Sequence, residues 1–266
     1  MRGIVLGLTA AAAWSAPALA PVVPPLCDAL GLPRRLPSGT RGVALTFDDG
    51  PHPEGTPALL DLLGEGGVRA TFFLVGEQVE RWPALAERIA VEGHQVALHG
   101  HRHRNLLRVP PPVLARDLDR GARVLEHATG RATALYRPPY GIFSPAGLRI
   151  VRRCGWRPLL WSRWGHDWRR FITPERIARE VTRDLTDGDV LLLHDADHYS
   201  AAGSWRNTLA AMPRILDELT WRGLPAVTYP AGSDWLALDT RRRAQTATTP
   251  RMTITITSNR SWCLAV

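Results

Sequence analysis

A chain of 266 residues, 45% of them hydrophobic, suits one large domain with a sizeable core. Formal charge is +8 and every cationic side chain is arginine; the scatter of the arginines argues against a dense nucleic-acid-binding face and fits a simple coding bias, and if the charge has a functional use an acidic polymer is its natural partner. Cys27, Cys154 and Cys263 are few, odd in number and far apart, so neither a disulfide framework nor a CxxC metal site is indicated.

Residues 1–20 carry Arg2, an apolar stretch and Ala18-Leu19-Ala20 ahead of Pro21, so a secretory signal peptide is expected there, or else an uncleaved N-terminal anchor. A Pro-rich linker is expected over 21–40. The folded domain follows over 41–235. Its first strand, Val43 to Phe47, delivers Asp48 and Asp49 ahead of the breaker Gly50-Pro51. A helix over Thr56–Leu63 precedes a β-branched and aromatic strand, Arg69–Val75; a helix over Glu77–Glu92 ends at Gly93, and the strand Gln95–Leu98 runs into His99-Gly-His-Arg-His103. Next come a helix from Pro110 to about Ala128, a strand Ala134–Arg137, the turn Pro138–Gly141 and a helix Pro145–Arg153. The strand Trp156–Ser162 leads towards Asp167-Trp168. Thr173 and Pro174 start a helix as cap and first residue; Asp189–Leu193 is a strand ending in His194, and a helix Trp205–Arg222 precedes a last strand, Ala226–Tyr229. Residues 241–266 read as a low-complexity tail in which 252–257 has an edge-strand pattern.

Seven strands alternating with helices predict an α/β fold with a parallel sheet or barrel. Asp48, Asp49, His99, His103, Arg137, Asp167 and His194 all fall at or just beyond the C-terminal ends of separate strands, the face that carries the active site in such barrels. His99 and His103, four apart, are expected on one side of a helical turn, with Asp49 completing a two-His, one-carboxylate metal site; His101 should then point away and be exposed or stand behind the ligands. Asp48 is the candidate base, held ionised by Arg137, and His194 the candidate acid, held protonated by Asp167.

These residues resemble the polysaccharide deacetylases with a NodB-homology domain, a family of metal-dependent carbohydrate esterases. The resemblance runs from about Arg41 to Tyr229. Thr46-Phe47-Asp48-Asp49-Gly50 is similar to the family's first motif, His99 to His103 to the second, Arg137-Pro138-Pro139-Tyr140 to the third, Asp167-Trp168 to the fourth and Leu192-Leu193-His194-Asp195 to the last. It implies a distorted (β/α) barrel of about seven units and metal-dependent removal of N-acetyl groups from an amino-sugar polysaccharide, peptidoglycan or chitin-like. Asp48 would be the base, His194 the acid, and Asp49, His99 and His103 the ligands of one divalent ion, Zn(II) first, with Co(II), Mn(II) or Ni(II) open. The Tyr140 N–H would stabilise the oxyanion, Trp168 form an apolar wall and Leu192 line the acetyl pocket. Trp161, Trp164, Trp168, His198, Tyr199 and Trp205 are candidates for a sugar-stacking wall.

Two positions depart from the pattern: Gly100 stands where the family usually has Ser or Thr, and Trp164 where a further acid often precedes the fourth motif. Neither removes a proposed ligand, base or acid. Two other readings compete: an O-acetyl esterase of the xylan type on the same fold, and a non-catalytic basic protein that binds acidic polymer. An exported or cell-envelope location is expected, with no nucleic-acid partner, and with membrane contact only through an N-terminal anchor.

Overall fold

The computed structural model describes residues 18–20 and 22–230. Most of the expected signal peptide or anchor and all of the tail at 241–266 lie outside these residues. Among those described, no helix is long and apolar enough to cross a membrane.

The strands are β1 (Ala44–Asp48), β2 (Thr71–Leu74), β3 (Gln95–Leu98), β4 (Leu135–Tyr136), β5 (Arg157–Pro158), β6 (Arg163–Trp164) and β7 (Val190–His194). They form one sheet in the order β5-β4-β3-β2-β1-β7-β6, and each ladder is parallel. Around it lie α1 (Pro24–Ala29), α2 (Gly55–Glu65), α3 (Gly76–Arg81), α4 (Pro83–Val91), α5 (Pro111–Thr129), α6 (Pro145–Arg153), α7 (Pro174–Thr182) and α8 (Ser204–Trp221). This is the expected distorted barrel of seven units, curled rather than closed. The central strands are apolar runs because a parallel sheet under helices is buried on both faces. All residues of β1 and β2 are buried, and Phe47 and Phe72 meet at 5.3 Å between ring centroids.

Three element boundaries differ from the expectation. The strand predicted at Trp156–Ser162 splits: Arg157–Pro158 pairs with β4 at one edge of the sheet and Arg163–Trp164 with β7 at the other, so residues 159–162 cross the seam. Pro158 cannot donate to a ladder, which suits an edge. The predicted strand Ala226–Tyr229 reduces to a single bridge between Val43 and Ala226, so the count of seven holds with different members. The helix predicted over Glu77–Glu92 breaks into α3 and α4 at Trp82, which has φ −132° and ψ 62°. Pro83 forces this, since the residue before a proline is pushed out of the helical region.

The segment expected as a linker packs against the barrel seam over part of its length. Leu32 and Leu36 are buried, the Leu160 N–H donates to the Pro33 carbonyl, the Leu36 N–H to the Gly188 carbonyl, and Arg35 pairs with buried Asp189 at 2.5 Å.

Candidate active site

Register sets the centre of the site. Asp48, the last residue of β1, lies opposite His194 of β7, and Thr46 lies opposite Leu192. Side chains two apart on a strand share a face, so Leu192 and His194 lie on one face, as do Thr46 and Asp48.

Arg137 follows β4 and is fully buried, with its guanidinium 3.9 Å from the centroid of the Phe73 ring. Its Nη1 donates to Asp48 Oδ1 at 2.6 Å and to Thr46 Oγ1 at 2.9 Å; Nε and Nη2 donate to the carbonyls of Leu159 and Leu160 at 3.1 and 3.0 Å. Burial lowers the guanidinium pKa, and Asp48 offsets part of that. The seam crossing therefore has a use: its two carbonyls orient the arginine that holds Asp48.

Asp49 takes the left-handed conformation, φ +79°, uncommon outside glycine and a mark of a functionally constrained position. Its buried Oδ1 has no hydrogen-bond partner and lies 3.4 Å from His99 Nε2 and 3.3 Å from His103 Nε2. Ligands around a tetrahedral ion with bonds of about 2.0–2.1 Å are separated by about 3.4 Å, so the three atoms fit one small divalent cation. The His99 tautomer also fits: Nδ1 lies 2.8 Å from the Arg137 carbonyl, which can only accept, so Nδ1 carries the proton and the Nε2 lone pair faces the site. Burial would raise the Asp49 pKa, but the His103 and His99 imidazoles outweigh it and hold the carboxyl below the usual range.

His194 Nδ1 lies 2.9 Å from Asp167 Oδ1; Asp167 Oδ2 accepts the His194 backbone N–H at 2.7 Å and the Thr208 hydroxyl at 2.8 Å. Burial alone would lower the imidazolium pKa. Asp167 reverses this, with smaller help from Asp49 and Asp48, and raises it to about 10. Trp168 meets the His194 ring edge-on at 5.6 Å. Tyr140, half exposed with φ +61°, has its ring 4.6 Å from that of His103. The structure thus gathers nine of the ten candidate residues at the C-terminal ends of the strands, with Leu192 two residues inside β7 on the face of His194.

The second motif differs in detail. Residues 99–103 form no helical turn: Gly100 has φ +93°, a conformation closed to most side chains, and a Cβ there would sit 3.0 Å from the Arg102 carbonyl oxygen. His101 is buried, which removes the exposed one of its two expected placements: the turn rolls its ring against Gly76 of α3, while Gly121 of α5 packs on its backbone. The turn is braced by Asp117 of α5, whose Oδ2 accepts the N–H groups of His101 and Arg102 at 2.9 and 3.4 Å. Sequence reasoning missed Asp117, since an acid on an amphipathic helix ordinarily reads as solvent-facing. It also missed Thr46, whose only signal is one hydroxyl in an apolar strand.

The aromatic wall is smaller than expected. Trp161 and Trp205 are buried, His198 stacks on Trp82 at 5.6 Å, and Tyr199 lies flat on His103 at 4.2 Å. Trp164 and Trp168 remain partly exposed, 5.5 Å apart.

His52, Asp197 and His198 form a second cluster with metal-like spacing. His52 Nδ1 accepts the N–H groups of Gly55 and Glu54 at 2.9 and 3.2 Å, so Nε2 holds the proton and donates to Asp197 Oδ1 at 3.2 Å. That tautomer leaves His52 no lone pair for an ion. The cluster instead ties the loop after β1 to the loop after β7.

A parallel barrel whose strand ends bring two imidazoles and a carboxylate to within an ion's reach, beside an arginine-held carboxylate, defines a metal-dependent hydrolase of the β/α class. The family model described as "Polysaccharide deacetylase" matches residues 36–159. A peptidoglycan-N-acetylglucosamine deacetylase of Bacillus cereus is 34% identical over 73% of this chain and 88% of its own length, and a chitooligosaccharide deacetylase of Bradyrhizobium is 38% identical over 73% and 91%. Among solved structures, a peptidoglycan N-acetylglucosamine deacetylase bound to an N-hydroxybenzamide superposes with a TM-score of 0.71 at 31% identity, over 76% of this chain and 92% of that one. A family 4 carbohydrate esterase from Streptomyces lividans in complex with acetate gives 0.63 at 31% identity, over 70% and 91%. The chain belongs to the polysaccharide deacetylase family.

Proposed function

We propose that this chain is a hydrolase that removes N-acetyl groups from an N-acetylated glycan, peptidoglycan or a chitin-like polymer, with one divalent ion, Zn(II) by its N/O ligand set, held by Asp49, His99 and His103. The observation that carries the reading is the pairing of two unlike carboxylates: Asp49 Oδ1 turned without a hydrogen bond towards two imidazole nitrogens, and Asp48 held by Arg137 next to it. The ion, when bound, supplies polarisation of the acetamide carbonyl and acidification of a water.

The chain's own residues do the rest. Asp48 takes the proton from the water, and Arg137 fixes that carboxylate in orientation. The backbone N–H of Tyr140 donates to the oxyanion as it develops. His194, protonated and oriented by Asp167, gives its proton to the departing amine. Trp168 walls the side of His194, and Leu192, two residues before it on β7, offers the acetyl methyl an apolar contact.

The catalytic unit is assigned to 41–235, with a secretory leader or anchor over 1–20, a segment at 21–40 that caps the seam, and a tail over 241–266. A secreted or envelope-bound enzyme follows from that leader, and a surplus of arginine suits an acidic wall polymer. The test is acetate release from N-acetylglucosamine oligomers, peptidoglycan and O-acetylated xylan side by side. Release from the amide substrates supports the reading; release from xylan alone makes the chain an ester hydrolase on the same fold.

A further inference from the structure

The two histidines of the site are supported in different ways. His99 Nδ1 is anchored on the Arg137 carbonyl, whereas His103 Nδ1 is buried and has no hydrogen-bond partner. A ligand imidazole normally donates its second N–H to a group that fixes its orientation, and loss of such a partner typically costs about 10–100-fold in metal affinity. His103 instead has a ring against its face: Tyr199, from the loop after β7, lies parallel to it at 4.2 Å with 8° between planes.

Tyr199 is itself held at its far end. Its hydroxyl donates to Glu77 Oε1 at 2.8 Å and accepts from Gln78 Nε2 at 2.9 Å. Glu77 and Gln78 belong to α3, which is bonded to the histidine turn: the N–H groups of Gly76 and Glu77 donate to the carbonyls of Gly100 and His101 at 2.9 and 2.8 Å. The clamp is therefore closed, from the turn to α3, from α3 to the phenol, and from the phenol ring back to His103.

We propose that Tyr199 is the positioning residue for His103, its ring replacing the hydrogen bond that His103 lacks and holding Nε2 towards the ion. Ligation withdraws electron density from an imidazole, while donation from the phenol to a carboxylate enriches the Tyr199 ring, so the stack strengthens when the ion binds. The inference rests on the ligand set proposed above, but its readout is metal binding and not turnover.

The test compares Tyr199→Leu, which keeps apolar bulk without a flat face, with Tyr199→Phe, which keeps the face. Zn(II) affinity is measured by competition against a chromophoric chelator, with circular dichroism and a metal-free melt to establish that each variant is folded. Tyr199→Leu should bind Zn(II) at least tenfold more weakly than wild type, and Tyr199→Phe within about threefold of it. Should Tyr199→Leu fail to fold, Tyr199→Met, which also lacks the flat face, is read in its place and should bind Zn(II) at least tenfold more weakly than wild type. Wild-type affinity in folded Tyr199→Leu, or in Tyr199→Met where that variant is the one read, overturns the proposal, as does a loss in Tyr199→Phe equal to that of the variant read. A chain that binds Zn(II) in this pattern but releases no acetate would sink the proposed activity and leave the clamp standing.

Discussion

Among the described residues Arg137 is the largest side chain with no exposure, and each of its polar contacts is made inside the barrel. Removing one member of a buried ion pair leaves the other charge uncompensated and costs about 3–5 kcal/mol. Arg137→Ala should lose about that much in urea denaturation, together with its activity. Asp48→Asn is the sharper probe, because the amide oxygen still accepts from Arg137 while the proton acceptor is gone. Its turnover should fall by about 10²–10⁴-fold with metal content unchanged, the usual worth of general base catalysis. His99→Ala should lose metal and turnover together. Near-wild-type turnover in Asp48→Asn would remove Asp48 from the role of base.

At the scale of elements, what the sequence made legible was the strand ends. An apolar run closing in two acids, or in a histidine, marks where a buried parallel strand reaches the rim, so Asp48, Asp49, His99 and His194 were placed without a structure. The turn after β3 was not legible, because four-residue spacing fits a helical turn and a glycine-kinked loop equally well, and the glycine that decides between them is set by packing. Asp117, which braces that loop, sits sixteen residues beyond His101 in a separate helix, beyond the reach of any local pattern. The same packing gives a prediction. A methyl at Gly121 of α5 would sit 2.8 Å from Leu98 Cδ1 and 3.0 Å from the His101 nitrogen. Ala in a helix gains about 1 kcal/mol over Gly, but crowding of a well-packed contact costs about 1–3 kcal/mol, and here one of the neighbours is backbone. Gly121→Ala should therefore be destabilised on balance and bind Zn(II) more weakly. An unchanged melting temperature and affinity would show the turn to be softer than this packing implies.

For the molecule as a whole, the Asp167–His194 pair couples stability to pH. His194 has a folded pKa raised to about 10, against an unfolded value of about 6.5. A raised folded value for a cationic group means that its contribution is complete below the unfolded pKa and is lost as pH rises through the folded one. The melting temperature of the wild type should fall between about pH 6.5 and 10, and His194→Gln should flatten that slope. A wild-type slope unchanged by the substitution would place the titration elsewhere. Metal acts on the same balance, since an ion held by the folded state alone at about 100 times its Kd adds about 2.7 kcal/mol, so a chelator should lower the melting temperature.

The most direct measurement is acetate release from N-acetylglucosamine oligomers by the chain stripped of metal and then titrated with Zn(II), with Asp48→Asn carried in parallel. Release that rises with Zn(II) to a plateau at one ion per chain, and that is absent from the substituted chain at equal metal content, is the result expected of a site with one ion and one base. Release by the stripped chain that Zn(II) leaves unchanged, or equal release by Asp48→Asn, would contradict it.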